Sequence, residues 1–398
     1  MVPKTHVPPN QISQSYCSLA LNGVVNFRFK MKISMEPKKA LNWLKPDMPT
    51  LIVAMVNFGF GVVMTVFNFY YIKVFLNKYN LSNYWLSLTQ TLFLVWNAIN
   101  DPVFGYVQDI AACGKKGRLC GWISDRRRVI MYMGPLLALS FMVAWFPWSD
   151  GSPDYLVGLH LLVSLFLWDG FFSFLGSAYC GLFTEMTTKH ADRVRVVKYQ
   201  QLTSLVASLI IFPVNKISNS LEDFRAFQIC CGVVALISIA SSVFGGWKSP
   251  TPVESYTERQ EEGESAEEEK PSLWQQIKKT AQILRQIIFN RDFLSAVAGN
   301  FMHILRVIGG ANFLAIYTES LIPEDILPLN SVRISLFYTA CTALPQAAIL
   351  FLSPLMNRFG AWTVLNGSLI LTVINCLIMY FIGRSNFTAI IIYLLIDK

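Results

Sequence analysis

The chain has 398 residues, of which 53% are hydrophobic and only 15% are charged, and its mean hydropathy is +0.42. Soluble domains carry nearer a quarter of charged residues, so this composition excludes an ordinary soluble domain and indicates a polytopic membrane protein. The formal net charge of +8 does not indicate nucleic-acid binding, because the basic residues collect in the connections between apolar segments.

Nine apolar runs approach or exceed the roughly 20 residues that cross a bilayer as a helix. They are residues 51–76, 84–107, 129–147, 155–183, 200–217, 226–246, 293–318, 332–356 and 361–383. A tenth run begins at Phe387 and reaches Lys398 after about half a crossing. Pro213 and Asn215 interrupt the fifth run. The sequence predicts an all-α membrane protein.

Basic residues alternate along the connections between these runs. With a cytoplasmic N-terminus, the cytoplasmic segments hold 25 of the 33 lysines and arginines. This excess is typical of cytoplasmic loops. The alternation predicts a multi-pass protein of the lipid bilayer whose N-terminus is cytoplasmic. Residues 1–48 show no signal-peptide pattern, so the first run is expected to direct insertion.

The chain divides in its middle at an acidic stretch. Residues 253–270 contain eight glutamates and few apolar side chains, which predicts a solvated linker. Ser272 to Gln275 forms a capping box, and the following apolar positions, at helical spacing, predict an amphipathic helix. That helix lies either on the cytoplasmic membrane surface or against cytoplasmic loops. The predicted segments are a basic tail at 1–48, a six-helix bundle at 49–246, a linker at 247–271, the amphipathic helix at 272–290 and a second bundle at 291–398.

Six runs before a long linker, and further runs after it, match the layout of a two-bundle secondary transporter. The second bundle of such a protein also has six helices, whereas three runs and part of a fourth follow the linker here. The sequence therefore predicts a complete first half and a truncated second half.

The second run contains Asn100-Asp101-Pro102. A carboxylate within a membrane helix is costly and points to a functional site. Proline removes one helical hydrogen bond and so frees a backbone carbonyl. These features predict that Asp101 is buried and forms a cation or proton site.

Further polar residues interrupt the fourth and seventh runs. Asp169 lies midway along the fourth, where it either faces a central cavity or forms a structural pair. Asn300, His303 and Arg306 follow one another at three-residue spacing, roughly along one helix face. Arg306 is expected to meet Asp169 as a gate, to contact an anionic substrate, or only to neutralise a buried acid. His303 either shuttles protons or is a hydrogen-bonded core residue.

The connection after the second run carries a glycine, an acid four residues later and a basic cluster. These are Gly105, Asp109, Lys115, Lys116 and Arg118. The pattern resembles the gating loop of the major facilitator superfamily. The alternative is an ordinary positive-inside loop, which explains the basic residues alone.

Residues 97–105 are similar to the second helix of the glycoside–pentoside–hexuronide cation symporters, the family of melibiose permease. The resemblance implies a Na⁺ or H⁺ site between the second and fourth helices and co-transport of a sugar. Asp101 and Asn100 match the family's cation ligands, and Ser173 falls where its hydroxyl ligand lies. Asn97 stands where the family has a second acid.

The sugar-binding positions of that family are not retained. Gly176 replaces the aspartate of the fourth helix, and Gln201 replaces the arginine of the fifth. The first run contains no carboxylate. Sugar recognition of the melibiose type is therefore not supported by the residues.

A more extensive resemblance spans the first nine runs. Its segments are residues 100–105, 134–141, 168–171, 192–193 and 224–227. They resemble the animal transmembrane protein 180 group, also called major facilitator superfamily domain-containing family thirteen. These are orphan transporter-like proteins, so the resemblance implies the fold without naming a substrate.

The expected function is transport of a small polar solute, coupled to Na⁺ or H⁺ and working by alternating access. A sugar-like solute is implied by the symporter resemblance only. The alternative is a non-transporting membrane protein: a scaffold, a receptor-like protein or a truncated inactive isoform. No nucleotide-binding, metal-ligand or nucleophile motif is present in the sequence. We therefore expect neither an enzyme nor a cofactor beyond the coupling ion.

Overall fold

A computed structural model describes residues 48–113, 122–123, 125–148, 151, 153–186, 190–249, 289–329, 331–382 and 386–396. Within these ranges the regular structure is helical and no strand occurs. This agrees with the predicted all-α class. The predicted tail and linker, and the amphipathic helix except for its last two residues, lie almost wholly outside the described residues.

Twelve α-helices occupy the described ranges. They are α1 Met48–Asn77, α2 Asn83–Cys113, α3 Arg126–Val143, α4 Asp154–Met186, α5 His190–Ser208, α6 Ile211–Ile217, α7 Phe224–Lys248, α8 Arg291–Asn312, α9 Leu314–Leu321, α10 Val332–Phe359, α11 Ala361–Ile382 and α12 Phe387–Ile396. Every predicted apolar run is therefore helical over most of its length.

Two of the predicted runs are each divided into two helices. The fifth run breaks at Leu209 and Ile210, between α5 and α6. Pro213 has no N–H to donate to the Leu209 carbonyl, which accepts instead from Phe212 N at 3.2 Å. The seventh run breaks at Phe313, between α8 and α9. The fifth interruption was expected from the sequence and the seventh was not.

By length and hydropathy alone, four of the described helices can span a membrane. These are Met48–Asn77, Asp154–Thr184, Phe224–Lys248 and Trp362–Ile382. The polar residues within α2 and the three arginines that open α3 lower the hydropathy of those helices. The nine predicted spans are thus supported as helices, and four of them also as membrane spans.

Helices α1 to α7 pack as one bundle, which we call the first set. Here α1 contacts α5 and α7, α3 contacts α4 and α7, and α2 contacts α4. Small residues allow close approach: a Cβ added at Gly59 of α1 would lie 2.6 Å from Ser241 Cβ of α7. Such small-residue contacts are typical of membrane helix pairs, which gain from van der Waals contact more than from the hydrophobic effect.

Large aromatic side chains fill the centre of the first set. Phe67 stacks on Trp168 with ring centroids 4.4 Å apart, and Trp145 meets Phe227 edge-on at 5.1 Å. Phe141 lies between them, 5.5 Å from Trp145 and 6.1 Å from Trp168. This cluster joins α1, α3, α4 and α7, and so fixes α4, which carries Asp169.

Helices α8 to α12, the second set, contact the first set through a few elements. Helix α10 packs against α5 and α6, and α8 and α9 pack against α1. Within the second set α10 contacts α11 and α12, and α8 contacts α11. The expected division into a complete and a truncated half stays a prediction.

Candidate functional site

A buried carboxylate lies between α2 and α4. Asp169, midway along α4, is 5% exposed. Asn97 Nδ2 donates to Asp169 Oδ1 at 3.2 Å, and Asn100 Nδ2 donates to Asp169 Oδ2 at 2.5 Å. Each carboxylate oxygen therefore accepts a hydrogen bond from an asparagine of α2. We call these three residues the Asp169 cluster.

Helix geometry explains why two asparagines reach one acid. Asn97 and Asn100 are three residues apart, so they lie on neighbouring positions of one face of α2. Beside them, Trp96 stacks on Phe166 of α4 with centroids 5.0 Å apart. Gly170 of α4 lies beside that indole, since an added Cβ would be in ordinary van der Waals contact with Trp96 at 3.7 Å. The packing therefore holds α2 against α4 at the level of Asp169.

No basic side chain among the described residues pairs with the acid of the Asp169 cluster. Asparagine amides are neutral, and no ion pair to Asp169 is formed within the described ranges. Asn100 is 2% exposed, and its Oδ1 is buried without a hydrogen-bond partner. Carboxylate and amide oxygens are the ligands that hard cations take in proteins. The cluster can therefore accept a small cation or a proton.

Asp101 does not have the buried position predicted for it. Its side chain is exposed at the edge of the face that α2 turns to α4. It forms neither a hydrogen bond nor an ion pair with the described residues. The prediction of burial was wrong because successive residues of a helix point about 100° apart, and α2 turns Asn100 rather than Asp101 towards α4.

Ser173 lies one turn after Asp169 on α4 and is half-buried. A four-residue spacing places both side chains on one side of the helix. Its predicted role as a hydroxyl ligand stays a prediction.

The gating pattern falls partly outside the described residues. Gly105 lies within α2, and a Cβ there would meet no other atom within 4 Å. Asp109 belongs to the last turns of α2, while Lys115, Lys116 and Arg118 lie outside the described ranges. The gating role stays a prediction.

A glutamine that the sequence did not single out holds this end of α2. Gln108 is fully buried; its Nε2 donates to the Phe174 carbonyl of α4 at 2.6 Å. Its Oε1 accepts from Arg126 Nη1 of α3 at 2.9 Å. Gln108 comes directly after the second apolar run, so no signal in the sequence indicated its burial.

The predicted pairing of Arg306 with Asp169 does not occur. Arg306 Nη1 donates instead to Thr372 Oγ1 of α11 at 2.5 Å. His303 is half-buried one turn earlier on α8, and Asn300 is exposed. The structure therefore brings together the α2 and α4 residues but leaves the α8 residues apart from them.

A buried ion pair joins the two sets of helices. Lys73, near the end of α1, binds the carboxylate of Glu319 on α9, and their side chains are 6% and 20% exposed. Tyr338 Oη of α10 donates to Glu319 Oε1 at 3.3 Å. Sequence reasoning missed this pair because Lys73 and Glu319 each lie near the end of an apolar segment.

Other polar contacts between the two sets lie at the same end of the bundle, where α1 connects to α2. Asn215 Nδ2 of α6 donates to Ser335 Oγ of α10 at 3.0 Å. Within the first set, Asn215 Oδ1 also accepts from Tyr70 Oη of α1 at 3.4 Å. Asn312 Nδ2 of α8 donates to Tyr71 Oη at 3.1 Å. At this end of the bundle, the two sets are therefore joined by hydrogen bonds and by the ion pair of Lys73 and Glu319.

Comparison with known families agrees with this all-helical membrane architecture. A model of the MFS/sugar transport protein family matches residues 52–397. The chain therefore belongs to this family of the major facilitator transporters.

Two relatives carry the name Transmembrane protein 180. The mouse (Mus musculus) protein is 28% identical over 339 residues, covering 81% of this chain and 63% of the relative. The chicken (Gallus gallus) protein is 25% identical over 348 residues, covering 84% of this chain and 66% of the relative. The chain thus spans about two thirds of their length, and the resemblance to the transmembrane protein 180 group is confirmed.

Proposed function

We propose that this protein is a cation-coupled secondary transporter in which Asp169 holds the coupling Na⁺ or H⁺. The observation that carries the proposal is the Asp169 cluster: a buried acid with two asparagine amides and no basic partner among the described residues. Family membership supports transport as the activity. The transported solute is a small polar molecule, and its sugar-like nature rests on the family alone.

The geometry supports a single-carboxylate site. The Asp169 oxygens and the orphaned Asn100 Oδ1 offer three oxygen ligands. Pro102 has no N–H to donate to the Ala98 carbonyl one turn earlier, so that backbone oxygen of α2 lacks its usual helical donor. One acid with neutral oxygens can hold Na⁺, and the same acid can take up a proton.

Thermal unfolding of the purified protein in detergent tests the proposal. We expect the unfolding temperature to change with Na⁺, at constant ionic strength against choline, or with pH. Asp169→Asn removes the charge with little change of shape, and should abolish that response. Asp325→Asn is the matched control, since Asp325 is exposed, and it should respond like wild type.

Asp101→Asn separates the structural assignment from the sequence-based one. If Asp101→Asn abolishes the response and Asp169→Asn keeps it, the coupling carboxylate is Asp101 and the proposed site is wrong. If the melting curves of wild type and both variants move identically with Na⁺ and pH, no cation acts through either acid. That result would favour the non-transporting alternative.

A further inference from the structure

Arg306 lacks a counter-charge in the part of the chain that the structure describes. The sequence has no acid between Asp292 and Glu319, and none in α10 or α11. Asp292 lies about 20 Å from Arg306 along the axis of α8, and Glu319 is already paired with Lys73. A charged side chain at the centre of a membrane helix costs a few kcal/mol or more unless it is paired. The positive charge of Arg306 is therefore not neutralised by any acidic residue that the structure describes.

Several polar atoms near Arg306 also lack partners. Arg306 Nε, His303 Nδ1 and Asn375 Nδ2 are all buried without a hydrogen bond. The arginine and asparagine nitrogens can only donate, and the histidine nitrogen donates in one tautomer. Buried polar groups are rarely left without a partner. What this group of atoms lacks is an acceptor.

These residues lie where α8 packs against α11. His303 and Arg306 are one turn apart on α8, and Thr372 and Asn375 are one turn apart on α11. The bond from Arg306 to Thr372 joins the two pairs. Nearer the start of both helices, Gly299 contacts Trp362, since a Cβ there would lie 3.0 Å from its ring. We call His303, Arg306, Thr372 and Asn375 the Arg306 cluster.

We propose that the Arg306 cluster binds the anionic group, a carboxylate or a phosphate, of a small molecule. Guanidinium groups bind both anions with two parallel N–H···O bonds. Arg306 Nε and the second Nη supply such a fork, and Asn375 Nδ2 supplies a further donor. That this anion is the transported solute rests on the proposed function, whereas anion binding itself does not.

The test uses the purified protein in choline chloride at constant ionic strength, without Na⁺. The probes are acetate, inorganic phosphate and, as a neutral control, glucose. Acetate or phosphate should raise the unfolding temperature saturably, and the more effective of the two identifies the anionic group. Arg306→Gln should weaken the apparent affinity at least tenfold. Arg333→Gln is the matched control, because Arg333 is exposed on α10, and it should bind like wild type.

Asn375→Leu keeps the volume of the side chain and removes its donor, so it should weaken anion binding even if Arg306→Gln fails to fold. The inference is overturned if neither anion acts on wild type, or if both variants respond as wild type does. Asp169→Asn keeps the anion response if the two sites are separate. Loss of the cation response alone would count against the proposed function and leave the anion site standing.

Discussion

Asp169 of the first set and Arg306 of the second set are charged residues well inside a helix, and their surroundings differ. Asp169 in the first set accepts two amide hydrogen bonds at 2.5 and 3.2 Å. Arg306 in the second set donates one bond to a hydroxyl, and its Nε remains without a partner. Both residues lack a counter-charge among the described residues, but both oxygens of the acid are hydrogen-bonded, whereas the arginine keeps a donor without a partner.

The ion pair of Lys73 and Glu319, by contrast, is a case in the same protein in which each buried charge has a partner of opposite sign. Both charges are neutralised, both side chains are largely buried, and Tyr338 adds a hydrogen bond. Charges with a purely structural role are paired in this way. Asp169 and Arg306 are not paired in this way. We therefore assign ligands to them, and we assign to Lys73 the structural role of joining the two sets of helices.

Removing one member of the buried pair should have the largest effect. Lys73→Met leaves Glu319 buried without its partner, so we expect a loss of about 3–5 kcal/mol in the free energy of unfolding. The measurement is equilibrium unfolding in mixed micelles. Lys78→Met is the control, because Lys78 is exposed shortly after Lys73.

The double variant Lys73→Met with Glu319→Leu sharpens this prediction. Replacing both partners by apolar groups removes the stranded charge, so much of the lost stability should return. If Lys73→Met lowers the free energy of unfolding no more than Lys78→Met does, the pair does not stabilise the contact between the two sets of helices.

Truncating the asparagines of α2 should have an intermediate effect. Asn100→Ala removes the shorter bond to Asp169 and should cost about 1–3 kcal/mol, while Asn97→Ala, at the longer bond, should cost less. A double-mutant cycle between Asn100→Ala and Asp169→Asn should give a coupling of about 0.5–3 kcal/mol. Equal costs for the two asparagines, with additive double variants, would contradict the geometry of the Asp169 cluster.

The helical positions were predictable from the sequence because bilayer thickness sets the length of each apolar run. The break at Leu209 followed from Pro213, and the break at Phe313 comes directly after Gly309, Gly310 and Asn312, which are poor helix formers. That second signal was available in the sequence, but an apolar run does not show by itself where its helix will break.

The candidate site was predictable in part. The sequence indicated that Asn97, Asn100 and Asp169 were polar residues in the right helices, since each interrupts an apolar run. It assigned the central role to Asp101, because sequence order does not show which face of α2 meets α4. Lys73 and Glu319 lie 246 residues apart in sequence, and only the tertiary fold brings such a pair together.

The smallest expected effect concerns Asp169 and Arg306 together. The sequence suggested a direct pair, whereas the structure gives each residue different partners and no ion pair between them in the described ranges. Residues without contact or shared partners act independently. The costs of Asp169→Asn and Arg306→Gln should therefore add to within about 0.5 kcal/mol in unfolding measurements. A coupling above about 1 kcal/mol would show that the two charges meet in another conformation of the protein, as a gate requires. In that case Arg306 would have a counter-charge of its own, and the contrast between the two sets of helices would hold only for the conformation described here.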